Sequence, residues 1–249
     1  MIFQGEIDMY NTLKMDYPRP FELYASQLPR RSPMSCVLDM IVHLERPENE
    51  LQIKNKLRRL MEDLREVDRS KILSSSTICV SHARTSESRH YGVSMSTFDC
   101  LPGKIMVAAS CFSNWDDFVA DAVMTYFPDE KKYFDGSIKL PEDIRCQAFN
   151  ISGGTEMNPC KSCGNLFGLN TNETEGWPYG NCAEVESLSN LFKNEQEVKI
   201  RATPQSDSRT EENRQRARNN LSGHLKKCWL KTVNFKWHDD FYTSTSMNK

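Results

Sequence analysis

The sequence predicts an α/β protein in which a mixed β-sheet is flanked by helices in three layers, with a helical extension before it. Three observations predict this fold. Helical apolar periodicity occupies the chain up to residue 67, segments rich in β-branched residues follow, and strand and helix patterns alternate after residue 144. At 249 residues the chain can bury one large core. We therefore predict an N-terminal arm and helix, residues 1–48, and a single α/β domain, residues 49–249.

The first part of the chain predicts an irregular arm followed by two helices. Residues 1–30 contain three prolines and no clear period, and residues 21–28 are the one candidate for a short helix there. Apolar residues between 37 and 44 recur at helical spacing until Pro47. The pattern is clearest at residues 53–67, where apolar residues fall on one face and charged residues lie off it.

The middle of the chain predicts strands, because β-branched and small residues are frequent there. The predicted strands are residues 77–82, 91–97, 104–111 and 144–151. Residues 101–103, Leu-Pro-Gly, are predicted to be a turn. Asn114 is placed to cap a helix from Trp115 to Phe127.

The last part of the chain predicts short elements. Residues 197–202 are predicted to be a strand, and Ser206 or Ser208 is expected to cap a basic helix that ends at about residue 222. The aromatic tail, residues 226–242, is a candidate for a last strand.

Composition limits the class of protein. The chain has 32 lysines and arginines against 34 acidic residues. Its overall charge therefore does not attract nucleic acid or an anionic membrane. The longest apolar stretch, residues 105–112, is too short to span a bilayer, and the amino terminus lacks the apolar region of a signal peptide. We expect a cytoplasmic protein, with the nucleus also open. Its nine irregularly spaced cysteines indicate buried thiols, metal ligands or nucleophiles rather than disulfides.

Two short motifs carry the chemistry. Residues 159–163 read Pro-Cys-Lys-Ser-Cys, and residues 182–184 read Cys-Ala-Glu. Each is expected to open a helix, whose N-terminus favours thiolate over thiol. Three thiolates can hold zinc and leave a fourth position for water, whose pKa the metal lowers toward ~7. A glutamate two residues after a ligand can then reach the water and move its proton.

These motifs resemble those of the cytidine-deaminase-like superfamily, and residues 180–184, Gly-Asn-Cys-Ala-Glu, resemble its toxin-type and eukaryotic offshoots. The resemblance implies zinc bound by Cys160, Cys163 and Cys182, with Glu184 as the catalytic proton shuttle. It also implies a deaminase-like fold and a nucleobase or nucleotide substrate, free or in nucleic acid. We therefore expect a zinc-dependent hydrolase, and whether it is an active enzyme stays open.

The order of the two motifs departs from the family. In the family the H/C-x-E motif precedes the P-C-x-x-C motif, whereas here it follows. If the usual order applied here, the predicted helix at residues 115–127 would stand where the family has its H/C-x-E motif. Cys111 would then join Cys160 and Cys163 in a site without a shuttle.

A second interpretation is a non-catalytic protein with a structural zinc, acting as an interaction, immune or stress-response factor of unspecified protein partners. A fourth ligand from Cys146, His224 or Cys228 would close the tetrahedron and exclude water. In a third interpretation the cysteines are small buried apolar residues without a metal.

Residues beside the second motif are candidates for a substrate pocket. Trp177 and Tyr179 could stack on a base, and Asn181 directly precedes Cys182. The alternative is that Trp177 and Tyr179 form a hydrophobic staple for the following helix.

The basic segment near the carboxyl terminus is a candidate for binding single-stranded nucleic acid. Arg214, Arg216 and Arg218 lie close in sequence to two tryptophans, and cations with aromatic rings hold phosphates and bases. The alternative is a solvated surface helix stabilised by charge pairs.

Overall fold

The computed structural model describes residues 9, 11–18, 28–67, 74–95, 100–232 and 241, and these residues form an α/β structure with helices on both sides of a sheet. Residues 11–16, predicted as part of an irregular arm, are helical. The next five helices are α1 (Pro33–Glu45), α2 (Glu50–Val67), α3 (Cys100–Ser113), α4 (Asp117–Tyr126) and α5 (Lys161–Phe167). The next three are α6 (Ala183–Asn194), α7 (Gln196–Arg201) and α8 (Glu211–Thr232). The strands are β1 (Thr77–Ala83), β2 (His90–Val93), β3 (Ile144–Asn150) and β4 (Glu156–Met157).

The sheet has the strand order β2-β1-β3-β4, and every pair of neighbours is antiparallel. The prediction of a mixed sheet was therefore wrong for the strands that the structure describes. Periodicity reveals which residues form strands but not the direction in which the chain returns. Here two helices, α3 and α4, intervene between β2 and β3, and the chain re-enters the sheet running opposite to β1.

Alternating side chains of the strands divide the interior into two parts. Ile78 and Val80 of β1 pack with α1 and α2, together with Phe149 of β3. Cys79 of β1 and Ala148 of β3 lie on the opposite face, against the first turn of α6. The sheet thus separates an outer layer, α1 and α2, from a layer that contains the two cysteine motifs.

The helices predicted in the first part of the chain are present. α1 begins at Pro33, whose missing N–H costs nothing in a first turn, and the side chain of Ser32 accepts a hydrogen bond from the Ser35 amide. α2 covers the predicted amphipathic segment and buries Ile53, among others, against the sheet layer. The short helix considered at residues 21–28 lies outside the described residues except for Leu28.

The strand predicted at residues 104–111 was wrong, because this segment lies inside α3. Val107, Ala108 and Ala109 are all buried, so the helix lacks the polar face from which helical periodicity is recognised. Leu101-Pro-Gly103, predicted as a turn, belongs to the first turn of this helix, where proline is tolerated.

Three further boundaries differ from the predictions. Asp116, not Asn114, caps α4 by accepting a hydrogen bond from the Phe118 amide. Residues 197–202 lie largely in helix α7 rather than in a strand. The basic helix α8 begins after Thr210, whose hydroxyl accepts a hydrogen bond from the Asn213 amide, and it continues well beyond residue 222.

The tail prediction is tested only in part. Residues 226–232 are helical, so they form no strand. Of the remainder, the structure describes Phe241, which forms an isolated parallel bridge with Leu28.

Candidate metal centre

The P-C-x-x-C motif forms the start of α5, which confirms the expectation that it opens a helix. Cys160 is the residue that precedes the first turn, and Cys163 follows one turn later and is buried. Gly168 ends the helix with φ of 63°, a left-handed conformation that glycine adopts without strain. The loop that follows is held against α5, because the Ser162 hydroxyl donates a 2.6 Å hydrogen bond to the Trp177 carbonyl.

The C-x-E motif forms the start of α6, with Cys182 as the residue before the first turn. α6 lies flat on the sheet, and Gly92 of β2 makes this close approach possible. A Cβ atom at residue 92 would stand 2.3 Å from the Ser187 nitrogen and 2.5 Å from the Ala183 carbonyl oxygen. The two motifs are thus anchored differently, one by a loop and the other by the sheet.

Buried polar contacts fix the orientation of α6. The Glu186 carboxylate accepts a 3.0 Å hydrogen bond from the Val93 amide and lies 3.4 Å from the Arg31 guanidinium. Burial raises the pKa of Glu186, and the charge of Arg31 opposes that rise. The Ser187 hydroxyl oxygen lies 2.9 Å from the His90 carbonyl oxygen. These contacts join the first turns of α6 to β2.

The two helix starts bring three sulfur atoms together. Cys160 Sγ lies 3.7 Å from Cys163 Sγ and 3.5 Å from Cys182 Sγ, and all three sulfurs lie within 4.8 Å of one another. Sulfurs that share one tetrahedral zinc at ~2.3 Å stand ~3.8 Å apart. The three cysteines could therefore bind a metal ion with little movement.

Hydrogen bonds within the sulfur group shift the pKa values of its three cysteines in different directions. Hydrogen bonds between Cys160 and the sulfurs of Cys163 and Cys182 hold the pKa of Cys160 well below its usual value. The same hydrogen bonds, together with burial, raise the pKa values of Cys163 and Cys182. A lowered pKa of Cys160 favours its thiolate, the form in which cysteine binds metal.

Glu184 lies beside the sulfur group in the first turn of α6. Its side chain is only 5% exposed, and this burial raises the pKa of Glu184 to about 7. The Cys160 charge raises it further, whereas a hydrogen bond with Cys163 lowers it. A buried carboxyl group is thus placed next to the position that a metal would occupy.

The other cysteine and histidine candidates lie elsewhere. Among the described residues, the three sulfurs form a group that no fourth cysteine, histidine or carboxylate joins. Cys146 contacts Cys79 at 3.6 Å, and Cys228 contacts His224 at 3.3 Å. Cys111 is buried in α3 and does not join the three sulfurs. The alternative site of Cys111, Cys160 and Cys163, which would lack a glutamate, is therefore not formed.

A pocket of about 280 Å³ opens onto this centre. Cys160, Cys182 and Glu184 form part of its wall, and Trp177 and Asn181 line it as well. The volume is close to the lower end of small-molecule sites, ~300 Å³.

The three residues proposed for the pocket have different roles in the structure. The Trp177 side chain is 68% exposed at the pocket, and the Asn181 carbonyl accepts a 2.8 Å hydrogen bond from the Met95 amide. Tyr179 instead stacks on Tyr126 with ring centroids 4.5 Å apart, and its hydroxyl accepts a hydrogen bond from Asn165. Only two of the three therefore lie at the pocket.

Sequence reasoning missed several residues of the pocket wall. They lie in the strands or next to strand ends, and those with polar side chains are Ser76, Thr77, Ser94 and Asn158, which follows β4. No motif marks them, because the sheet brings them together. Gly92 carried a signal, since an isolated glycine in a strand often marks a close backbone approach.

The three arginines of the predicted nucleic-acid patch make separate contacts. Arg214 donates a 2.9 Å hydrogen bond to Asp121, which is 0% exposed and also accepts one from Arg209. The guanidinium of Arg216 lies over the Tyr133 ring, and that of Arg218 lies 5.2 Å from the centroid of Phe112. Arg214 is thus engaged in a buried ion pair, and nucleic-acid binding by this segment stays a prediction.

In comparisons with protein-family models, curated proteins and solved structures, none matched this chain. Throughout the described part of the chain, each helix is too short or too polar to serve as a transmembrane span.

Proposed function

We propose that the protein is a zinc-dependent hydrolase that removes an amino group from a nucleobase or nucleotide, free or in nucleic acid. The observation that carries the proposal is a group of three cysteine sulfurs at a pocket whose wall includes Cys160, Cys182 and the buried Glu184. The nucleobase as substrate rests on the resemblance of the two motifs to the deaminase-like superfamily.

Zinc fits this donor set, because thiolates in tetrahedral arrangement are its usual structural and catalytic ligands. When bound, it supplies a hydroxide nucleophile from water near neutral pH. Among the described residues no fourth protein ligand is close enough to close the site, which favours a catalytic over a purely structural metal.

The protein's own residues would then bind the substrate and move protons. Glu184, which lines the pocket, would take one proton from water and give it to the ring nitrogen, and would then pass the second proton, from the added hydroxyl, to the departing amine. Hydroxyl and amide groups of Thr77 and Asn181 line the pocket, where they could hydrogen-bond the polar edge of a neutral heterocycle. Helix α6, fixed on the sheet through Gly92, would hold Glu184 in place during these steps.

The first experiment measures the zinc content of the purified protein, with Cys160→Ser and Cys182→Ser beside wild type. We expect about one zinc per chain in wild type and loss of it in both variants, because the two motifs share one metal. A zinc-free wild-type protein purified without chelator would refute the proposal.

The second experiment measures ammonia release from cytidine, adenosine and a single-stranded oligonucleotide. Glu184→Gln is the matched variant, since it removes the proton-accepting group with almost no change in shape. We expect it to retain zinc and to lose turnover by at least about 10²-fold. Retained zinc with no turnover even in wild type, and loss of stability in Cys160→Ser, would indicate the non-catalytic alternative.

A further inference from the structure

The outer layer of the structure has an exposed apolar face. α1 and α2 lie side by side on the sheet, and a groove of about 750 Å³ runs between their outer surfaces. Met40 and Leu44 of α1 are 65% and 66% exposed along it, and Leu60 and Leu64 of α2 line its other side. Exposed apolar residues grouped in this way usually mark an interaction surface.

The described residue that precedes α1 lies away from this groove. Leu28 is buried in the cluster on the opposite side of the sheet and forms a bridge with Phe241.

The charges along α2 are self-complementary. Lys56, Arg59 and Asp63 line the groove and follow one another in this order along α2. Within the described residues, neither Arg59 nor Asp63 forms an ion pair, whereas Lys56 pairs with Glu45 at 2.8 Å. If a second copy packed on this face with its α2 antiparallel to the first, each Arg59 would approach an Asp63 of the partner. A formal net charge of −2 offers little repulsion against such self-association.

We infer that the α1–α2 face binds a second copy of this chain, forming a two-fold symmetric dimer. The two α2 helices run antiparallel across the interface, and the four helices form a bundle around Met40, Leu44, Leu60 and Leu64. A two-fold axis makes each contact occur twice, so one residue pair contributes at two places. The sheet lies between this face and the metal centre, so the inference does not depend on the proposed function.

The test is the molar mass of the full chain in solution, measured by light scattering and sedimentation at up to roughly 100 μM, above the Kd of a standard-size interface. We expect a dimer for wild type and a monomer for Leu44→Glu, because two buried carboxylates would face apolar side chains. Ile200→Glu is the control, since Ile200 is equally exposed but lies on α7 in the other layer. A monomeric wild type, or a dimeric Leu44→Glu variant, would overturn the inference.

A charge swap tests the geometry and separates a second copy from another partner. Arg59→Glu and Asp63→Lys should each weaken the dimer roughly tenfold, because each places like charges together at two positions. The double variant restores both pairs, so its Kd should return to within about threefold of wild type. A double variant weaker than either single variant would exclude this arrangement. Zinc content should stay unchanged throughout.

Discussion

Replacing Gly92 by alanine would make a methyl group clash with the backbone of α6. The added Cβ would stand 2.3 Å from the Ser187 nitrogen, 2.5 Å from the Ala183 oxygen and 2.9 Å from the Glu186 carbonyl carbon. All three atoms belong to the backbone of one helix, so no side chain can rotate away. Because ordinary contacts between heavy atoms lie at ~3.5–4.0 Å, α6 would have to retreat by about 1 Å.

This displacement sets the expected loss of stability. Overpacking of a well-packed interior costs ~1–3 kcal/mol, and we expect the upper end because the retreat also stretches the hydrogen bond from the Val93 amide to Glu186. For a chain of this size each kcal/mol lowers Tm by ~2–4 °C, so Tm should fall by about 6–12 °C. Cys182 would move with the helix, and since metal–ligand distances tolerate only ~0.2 Å, zinc affinity should also fall.

The assay is thermal and urea unfolding of Gly92→Ala beside Gly223→Ala. Gly223 lies in α8 with nothing within 4 Å of its added Cβ, so the same substitution there should stabilise the protein by ~0.5–1 kcal/mol. The two variants differ only in the space available. If Gly92→Ala is as stable as Gly223→Ala, α6 does not pack on β2 as closely as described, and the reasoning fails.

Asp121→Asn should lower the free energy of unfolding by about 1–3 kcal/mol in urea titrations, because Arg209 and Arg214 lose their buried carboxylate and keep only the partly exposed Asp117. Unchanged stability would contradict a stabilising ion pair. Burial raises the pKa of Glu50, but hydrogen bonds from Arg145 and Lys54 outweigh it and leave that pKa below its usual value. The carboxylate thus stabilises the fold above the unfolded-state pKa of ~4.3, and this stability is lost as pH falls through the lower folded-state pKa. Glu50→Gln should therefore flatten the acid limb of the stability profile, and equal slopes in the two proteins would disprove this. Cys111→Ala should keep full zinc content while losing about 1–2 kcal/mol of stability, and a zinc-free Cys111→Ala protein would place that thiol in the centre.

The pairing of Cys160 with Cys163 could be predicted from their local spacing, whereas the approach of Cys182 was expected from the resemblance of the two motifs and depends on the packing of α6. A cysteine just before a helix lies next to the free amides of the first turn, and Cys163 follows Cys160 by one turn on the same face. The pocket wall could not be predicted in this way. Ser76 and Ser94 are brought to the pocket by strand pairing, and Asn158 follows β4. Their positions depend on long-range register, which leaves no pattern in the sequence.

The fold was predictable where elements have one buried face and one exposed face. α2 alternates Ile53 and Leu57 with exposed charges, so its period is evident. α3 is buried on most sides, and its run of β-branched and small residues has the composition of a strand. Residues 197–202 were too few to show a period. In the structure they continue from α6 as a short helix, and Val198 is buried in the core.

The three sulfurs join two parts of the chain that are 19 residues apart, from Cys163 to Cys182. A metal ion bound by all three would therefore act as a cross-link that closes this loop. In the chain-entropy description, closing a loop of this length removes unfolded-state freedom worth about 3 kcal/mol, similar to a disulfide. Unlike a disulfide, this link would survive a reducing compartment and would be released by a chelator. Loss of the ion would then free the segment that carries Trp177 at the pocket as well as the centre itself.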